Sequence, residues 1–125
     1  MRVKPASPIE SVQVVADARG LTSRAGTALV AGLADRVGLT GAFSGALVGV
    51  RERRSRHDPG RVVRDLALTL ADGGDCLADL RALRDQEPLF GEVASDATAW
   101  RVLAVLDEPR LQAIRRARAQ ARRRA

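Results

Sequence analysis

A chain of 125 residues, 46% hydrophobic, can bury one modest core and fits a single domain. Only 2% of it is aromatic, so that core must be built from Leu, Val and Ala, and a single Cys excludes an internal disulfide and suits a reducing cytoplasm. A net charge of +6 favours a polyanionic partner, while the absence of an apolar run of roughly 18 residues or of a signal-peptide core speaks against membrane or secretory roles.

The placement of charge matters more than its sum. Residues 1–50 carry five bases and three acids, and residues 51–64 six arginines against two acids. Residues 65–108 hold ten acids and three arginines, and residues 109–125 seven arginines and no acid. Two basic blocks therefore flank an acidic centre. Such blocks suit duplex DNA, where each phosphate contact releases counterions and makes binding salt-dependent.

In chain order, residues 1–21 read as a flexible lead-in in which Val12, Val14 and Val15 form a short strand lacking a partner in the chain. Thr22 or Ser23 is expected to cap a first helix with Leu29, Leu33 and Val37 on one face, ended by Gly38. A second helical stretch from Thr40 carries Gly41, Gly45 and Gly49 at four-residue intervals, a spacing that suits close packing in a soluble bundle. The loop of residues 51–58 holds Arg51, Arg53, Arg54 and Arg56, four guanidiniums in six residues, and reads as a phosphate-gripping segment rather than an ordinary solvated connection. His57 is a loop residue, since no second His exists to complete a metal or acid–base site.

Asp58 then caps a helix opened by Pro59, with Arg61, a further candidate for DNA contact, in its first turn and Val62, Val63, Leu66, Ala67 and Leu70 as its apolar stripe. Gly73 and Gly74 stop it, and Asp75 can cap a following helix that buries Leu77, Leu80 and Leu83. Asp72, Asp75 and Asp79 each have a local role, at a helix end, at a cap and on a wet face, which argues against a metal site; Cys76 is expected to be inert and half-buried. Ser95 caps the next helix, from which Trp100, Leu103 and Leu106 are expected to face inward while Thr98 and Arg101 face outward. That pair loosely resembles the recognition helix of a helix-turn-helix, but residues 87–95 are longer than the 3–4-residue turn of that motif, so a plain three-helix packing unit is favoured over base reading. Residues 107–125 read as a basic linker helix that also lies along DNA, favoured over non-specific RNA or membrane-surface contact; Asp107 caps it, Leu111, Ile114, Ala117 and Ala121 form a narrow ridge, and Arg115, Arg116, Arg118 and Arg122 are among the arginines covering the rest. The expectation is an all-α fold, a small multi-helix bundle over residues 22–106 with a short N-terminal strand and a basic C-terminal helix.

The string LADGGDCLADLRALRDQEPLFGEVASDATAWRVL, residues 70–103, resembles the N-terminal region of the IS1380-type group of DDE transposases. RGLTSRAG, DRVGLTGAFSGAL and RRSRHDPGRVVRDLA resemble the preceding blocks of that group, in the same order and spacing. The resemblance implies a cut-and-paste transposase whose RNase H-like domain binds two divalent metals, usually Mg²⁺, through three acids. In that group the first catalytic Asp falls past the position of Ala125, and no acid follows Glu108 here, so no catalytic position carries over. The chain by itself is expected to be catalytically inactive and to need no cofactor; Mg²⁺ belongs only to the implied catalytic domain.

Two functions follow. One is the DNA-binding and assembly segment of such a transposase, with duplex DNA and a second copy or the full-length transposase as partners. The other is a non-enzymatic helical module derived from such a fragment, acting by dimerisation or DNA occupancy. An enzyme within these residues is disfavoured, because they hold no nucleophile–base pair, metal-ligand cluster or phosphate-binding Gly loop, and nothing suggests a small-molecule substrate.

Overall fold

A computed structural model describes residues 23–50 and 56–125. The expected strand at residues 12–15, the alternative cap Thr22, and Arg51, Arg53 and Arg54 lie outside the described residues. Seven α-helices account for most of the rest: α1 (Ala25–Arg36), α2 (Leu39–Ala46), α3 (Pro59–Ala71), α4 (Arg81–Arg84), α5 (Glu87–Phe90), α6 (Asp96–Ala104) and α7 (Glu108–Arg122). A 3₁₀ turn, Leu77–Leu80, leads into α4. The fold is a small all-α bundle, with no strand among the described residues.

Three helices begin at the expected carboxylate or hydroxyl. Asp58 accepts the Arg61 N–H at 2.9 Å, Ser95 the Thr98 N–H at 3.3 Å, and Asp107 the Arg110 N–H at 3.1 Å. α1 differs, since its N-cap position is Arg24 with no side-chain cap, and Ser23 stands one residue too early. The helix expected from Asp75 also differs. Asp79 Oδ2 accepts the N–H groups of Asp75 (2.9 Å) and Cys76 (3.1 Å), which makes Cys76 the N-cap and tightens the first turn to 3₁₀ geometry. Leu80 and Leu83 are nonetheless fully buried as expected, and Leu77 packs against the core.

α1 and α3 run antiparallel, tied at one end by Thr27 donating to Asp72 and at the other by Arg64 donating to Asp35. This approach is close enough that α1 turns Ala28, Ala31, Gly32 and Ala34 inward. The expected face of Leu29 and Leu33 points outward instead, 49% and 54% exposed. α6 shows the same inversion: Ala99 and Val102 are buried, Leu103 is exposed and Trp100 is 63% exposed. The faces these two helices bury carry Ala and Gly, with Val102 the largest side chain among them.

α3 sits centrally, touching α1, α2, α6 and the 3₁₀ turn, so its buried surface is wider than one stripe. Val62 and Leu68 are buried, Val63 and Leu66 pack against the core, and Arg64, Asp65 and Thr69 are buried with them. Ala67 and Leu70 from the expected stripe face solvent. The glycines of the α2 region are not the close-packing ones either. A Cβ at Gly41 or Gly45 would meet nothing within 4 Å, and Gly49 follows the helix at φ +90°. Gly60 of α3 makes the close approach, where a Cβ would lie 2.1 Å from the Ser44 backbone nitrogen.

α7 lies on α2, burying Ala117 and Ala121 with Leu111 and Ile114 half-buried beside them. Its C-terminal end reaches the α1–α2 turn, where a Cβ on Gly38 would meet Arg124 Nη1 at 2.9 Å. No helix among the described residues is long and apolar enough to cross a membrane.

Candidate nucleic-acid interface

Docking α7 through small apolar side chains leaves its arginines outward. Arg115, Arg118 and Arg122, spaced by three and four residues, share one ridge, and Arg116 lies on the opposite flank. All four are exposed, and Arg116, Arg118 and Arg122 have no ion-pair partner among the described residues. Arg115 is held by Glu108, its Nη1 donating to Oε1 at 3.0 Å. Exposed Arg36, in the last turn of α1, stands close to the Gly38 corner that Arg124 reaches.

The other sequence-selected residues are placed differently. Arg56 is exposed and pairs with Glu92 at 3.1 Å. Arg61 is half-buried: Nη2 donates to the Phe90 carbonyl at 2.6 Å, and Nε is buried without a hydrogen-bond partner. It braces α3 against the Phe90–Gly91 turn. Thr98 belongs to the cap of α6, its N–H donating to Ser95 and its hydroxyl accepting from Ser95 Oγ at 3.1 Å. Arg101 is exposed on that helix. The structure thus gathers the α7 arginines on one helix and ties Arg61 and Thr98 into local contacts.

The carboxylates of the acidic centre are largely engaged. Asp72 accepts from Thr27 at 2.5 Å and pairs with Arg24. Buried Asp65 accepts from Arg64 Nη2 at 2.6 Å, and burial pushes its carboxyl above the usual range against the pull of that guanidinium. Asp96 accepts from Arg84 at 3.1 Å. The N–H groups of Asp75 and Cys76 hold the Asp79 carboxyl below its ordinary range. Asp75, Cys76 and Asp79 do converge, with ligand atoms within 4.8 Å of one another, a grouping the sequence hid by suggesting Asp72 as the third member. Cys76 is exposed rather than half-buried, and its thiol donates to Asp79 Oδ2 at 3.3 Å. Beside the turn lies a cavity of about 190 Å³ lined by Arg24, Thr69, Asp72, Gly74 and Asp79.

A thiol with one exposed and one half-buried carboxylate, the latter already spent on two backbone donors, does not fit the all-oxygen shell that Mg²⁺ requires. Asp72, turned toward Arg24 and Thr27, does not supply the missing oxygen. What the surface offers chemically is a line of guanidiniums for an anion.

No curated protein and no solved structure matches the chain. The family model described as transposase DDE domain group 1 matches residues 5–124, nearly the whole sequence, and the protein therefore belongs to this family of DNA transposases.

Proposed function

We propose that these 125 residues are the DNA-binding and assembly segment of an IS1380-type transposase, gripping the duplex backbone through α7. The single observation that carries this reading is the exposed ridge of Arg115, Arg118 and Arg122, flanked by Arg116, on a helix that holds no acid after Glu108. Guanidiniums aligned on one helix suit successive phosphates, and phosphate contacts fix position without reading sequence. Arg101, and Arg56 once released from Glu92, add to the contact in this reading, together with Arg51, Arg53 and Arg54. In this reading residues 22–106 are the supporting body and the helix of residues 107–125 lies along DNA.

The metal-dependent strand chemistry of the family is assigned to residues other than these. The engagement of Asp65, Asp72, Asp79 and Asp96 by protein donors supports that assignment. The partners are duplex DNA and a further transposase subunit, in the cytoplasm. Replacing Arg115, Arg116 and Arg118 together with Ala tests the reading. Affinity for random-sequence duplex, read by fluorescence anisotropy, should fall at least tenfold while the melting temperature holds. Unchanged affinity would remove α7 from the interface.

A further inference from the structure

We propose that Glu108 is a brake on the α7 ridge, withholding Arg115 from phosphate until its own carboxylate is displaced or neutralised. The proposal rests on the DNA-backbone reading above. Glu108 is the last acid in the chain and the only one on α7. Its place in the first turn is one the helix dipole favours, yet its Oε1 is turned along the helix to Arg115 Nη1, 3.0 Å away and two turns on. Gln112, one turn on, donates to the same oxygen from Nε2 at 3.3 Å. Residues 108, 112 and 115 share one side of a helix, so this polar line runs into the ridge that Arg118 and Arg122 continue. An approaching phosphate backbone therefore meets two uncommitted guanidiniums, then a third already bound to an anion.

The pair contributes little to holding the fold. Both partners lie within α7, both side chains are more than half exposed, and docking on α2 uses Ala117 and Ala121 instead. An exposed ion pair is weak enough for phosphate to compete with, and strong enough to cost a few-fold in affinity. Glu108 thus sets how many arginines of the ridge engage a polyanion.

The test is a double-mutant cycle on the full chain with Glu108→Gln, Arg115→Ala and both together. Binding to a fluorescein-labelled random-sequence duplex is measured across a salt series, with thermal melts confirming folding. Glu108→Gln should bind about three- to fivefold tighter than wild type. Its plot of log affinity against log salt should steepen by about 0.9, the increment for one added phosphate contact. In the Arg115→Ala background the same change should leave the slope unaltered and recover only a small part of the gain. Equal gains in both backgrounds would reduce Glu108 to a simple repulsive charge, and no gain at all would remove its role; either overturns the proposal. Wild-type protein that fails to bind duplex in a salt-dependent way would instead overturn the underlying DNA reading, and the brake with it.

Discussion

At Gly60 the contact between α2 and α3 has room for a hydrogen and nothing larger, since an added Cβ would sit 2.1 Å from Ser44 N and 2.6 Å from the Phe43 carbonyl carbon. Both neighbours are backbone and cannot swing aside. Gly60→Ala should therefore destabilise by about 1–3 kcal/mol or more through forced separation of the helices. Gly45→Ala, on the open side of α2, should stabilise by about 0.5–1 kcal/mol. Urea midpoints of the two variants check the contrast. Arg64 and Asp65 form the other decisive residue pair, 4% and 2% exposed. Burial raises the Asp65 pKa in the folded state above 3.8, so the folded chain holds that proton to higher pH than the unfolded chain does. Stability attributable to Asp65 is then fully present below 3.8 and declines as pH rises through the folded value. Arg64→Met would leave an uncompensated buried carboxylate and should cost about 3–5 kcal/mol near neutrality, less in acid, where Asp65 is protonated. Denaturant melts of wild type and variant over pH read that difference directly; a cost that does not shrink in acid would show that the carboxylate is not the cause.

At the scale of elements, the starts of α3, α6 and α7 were legible because capping is local chemistry, while those of α1 and the Leu77–Leu80 turn were not. Asp58, Ser95 and Asp107 each bond a backbone N–H three residues on, and those partners are fixed by sequence separation. Inward and outward faces were harder. α1 and α6 bury Ala and Gly and expose Leu29, Leu33 and Trp100, because the distance between packed helices, which the hydrophobic pattern does not carry, decides which side chains fit. Gly60 was hidden for the same reason, sitting in a first turn where the sequence offers no sign of α2 above it. Leu33→Gln should accordingly change stability by no more than about 0.5 kcal/mol. Ala31→Leu, filling a site 1% exposed, should cost about 1–3 kcal/mol by overpacking. A larger loss at Leu33 than at Ala31 in chemical melts would reverse the assigned faces of α1.

Over the whole molecule, the separation of charge read from the sequence becomes a division of labour. Most acids of residues 65–108 serve as caps and ion-pair partners, among them Asp65, Asp72, Asp79 and Asp96. The arginines of residues 109–125 are carried outward on a helix docked by alanines. The candidate surface was legible as far as it is contiguous in sequence, on α7. Arg61 and Thr98 were drawn off by the Phe90 carbonyl and the Ser95 cap. Under the proposed function the ligand of that surface is duplex DNA. The most direct measurement is the affinity of the full chain for random-sequence duplex from about 50 to 500 mM salt. Engagement of the two uncommitted ridge arginines, Arg118 and Arg122, predicts a log–log slope of about −1.8 or steeper. A flat line, with equal retention at both ends of the series, would contradict the account.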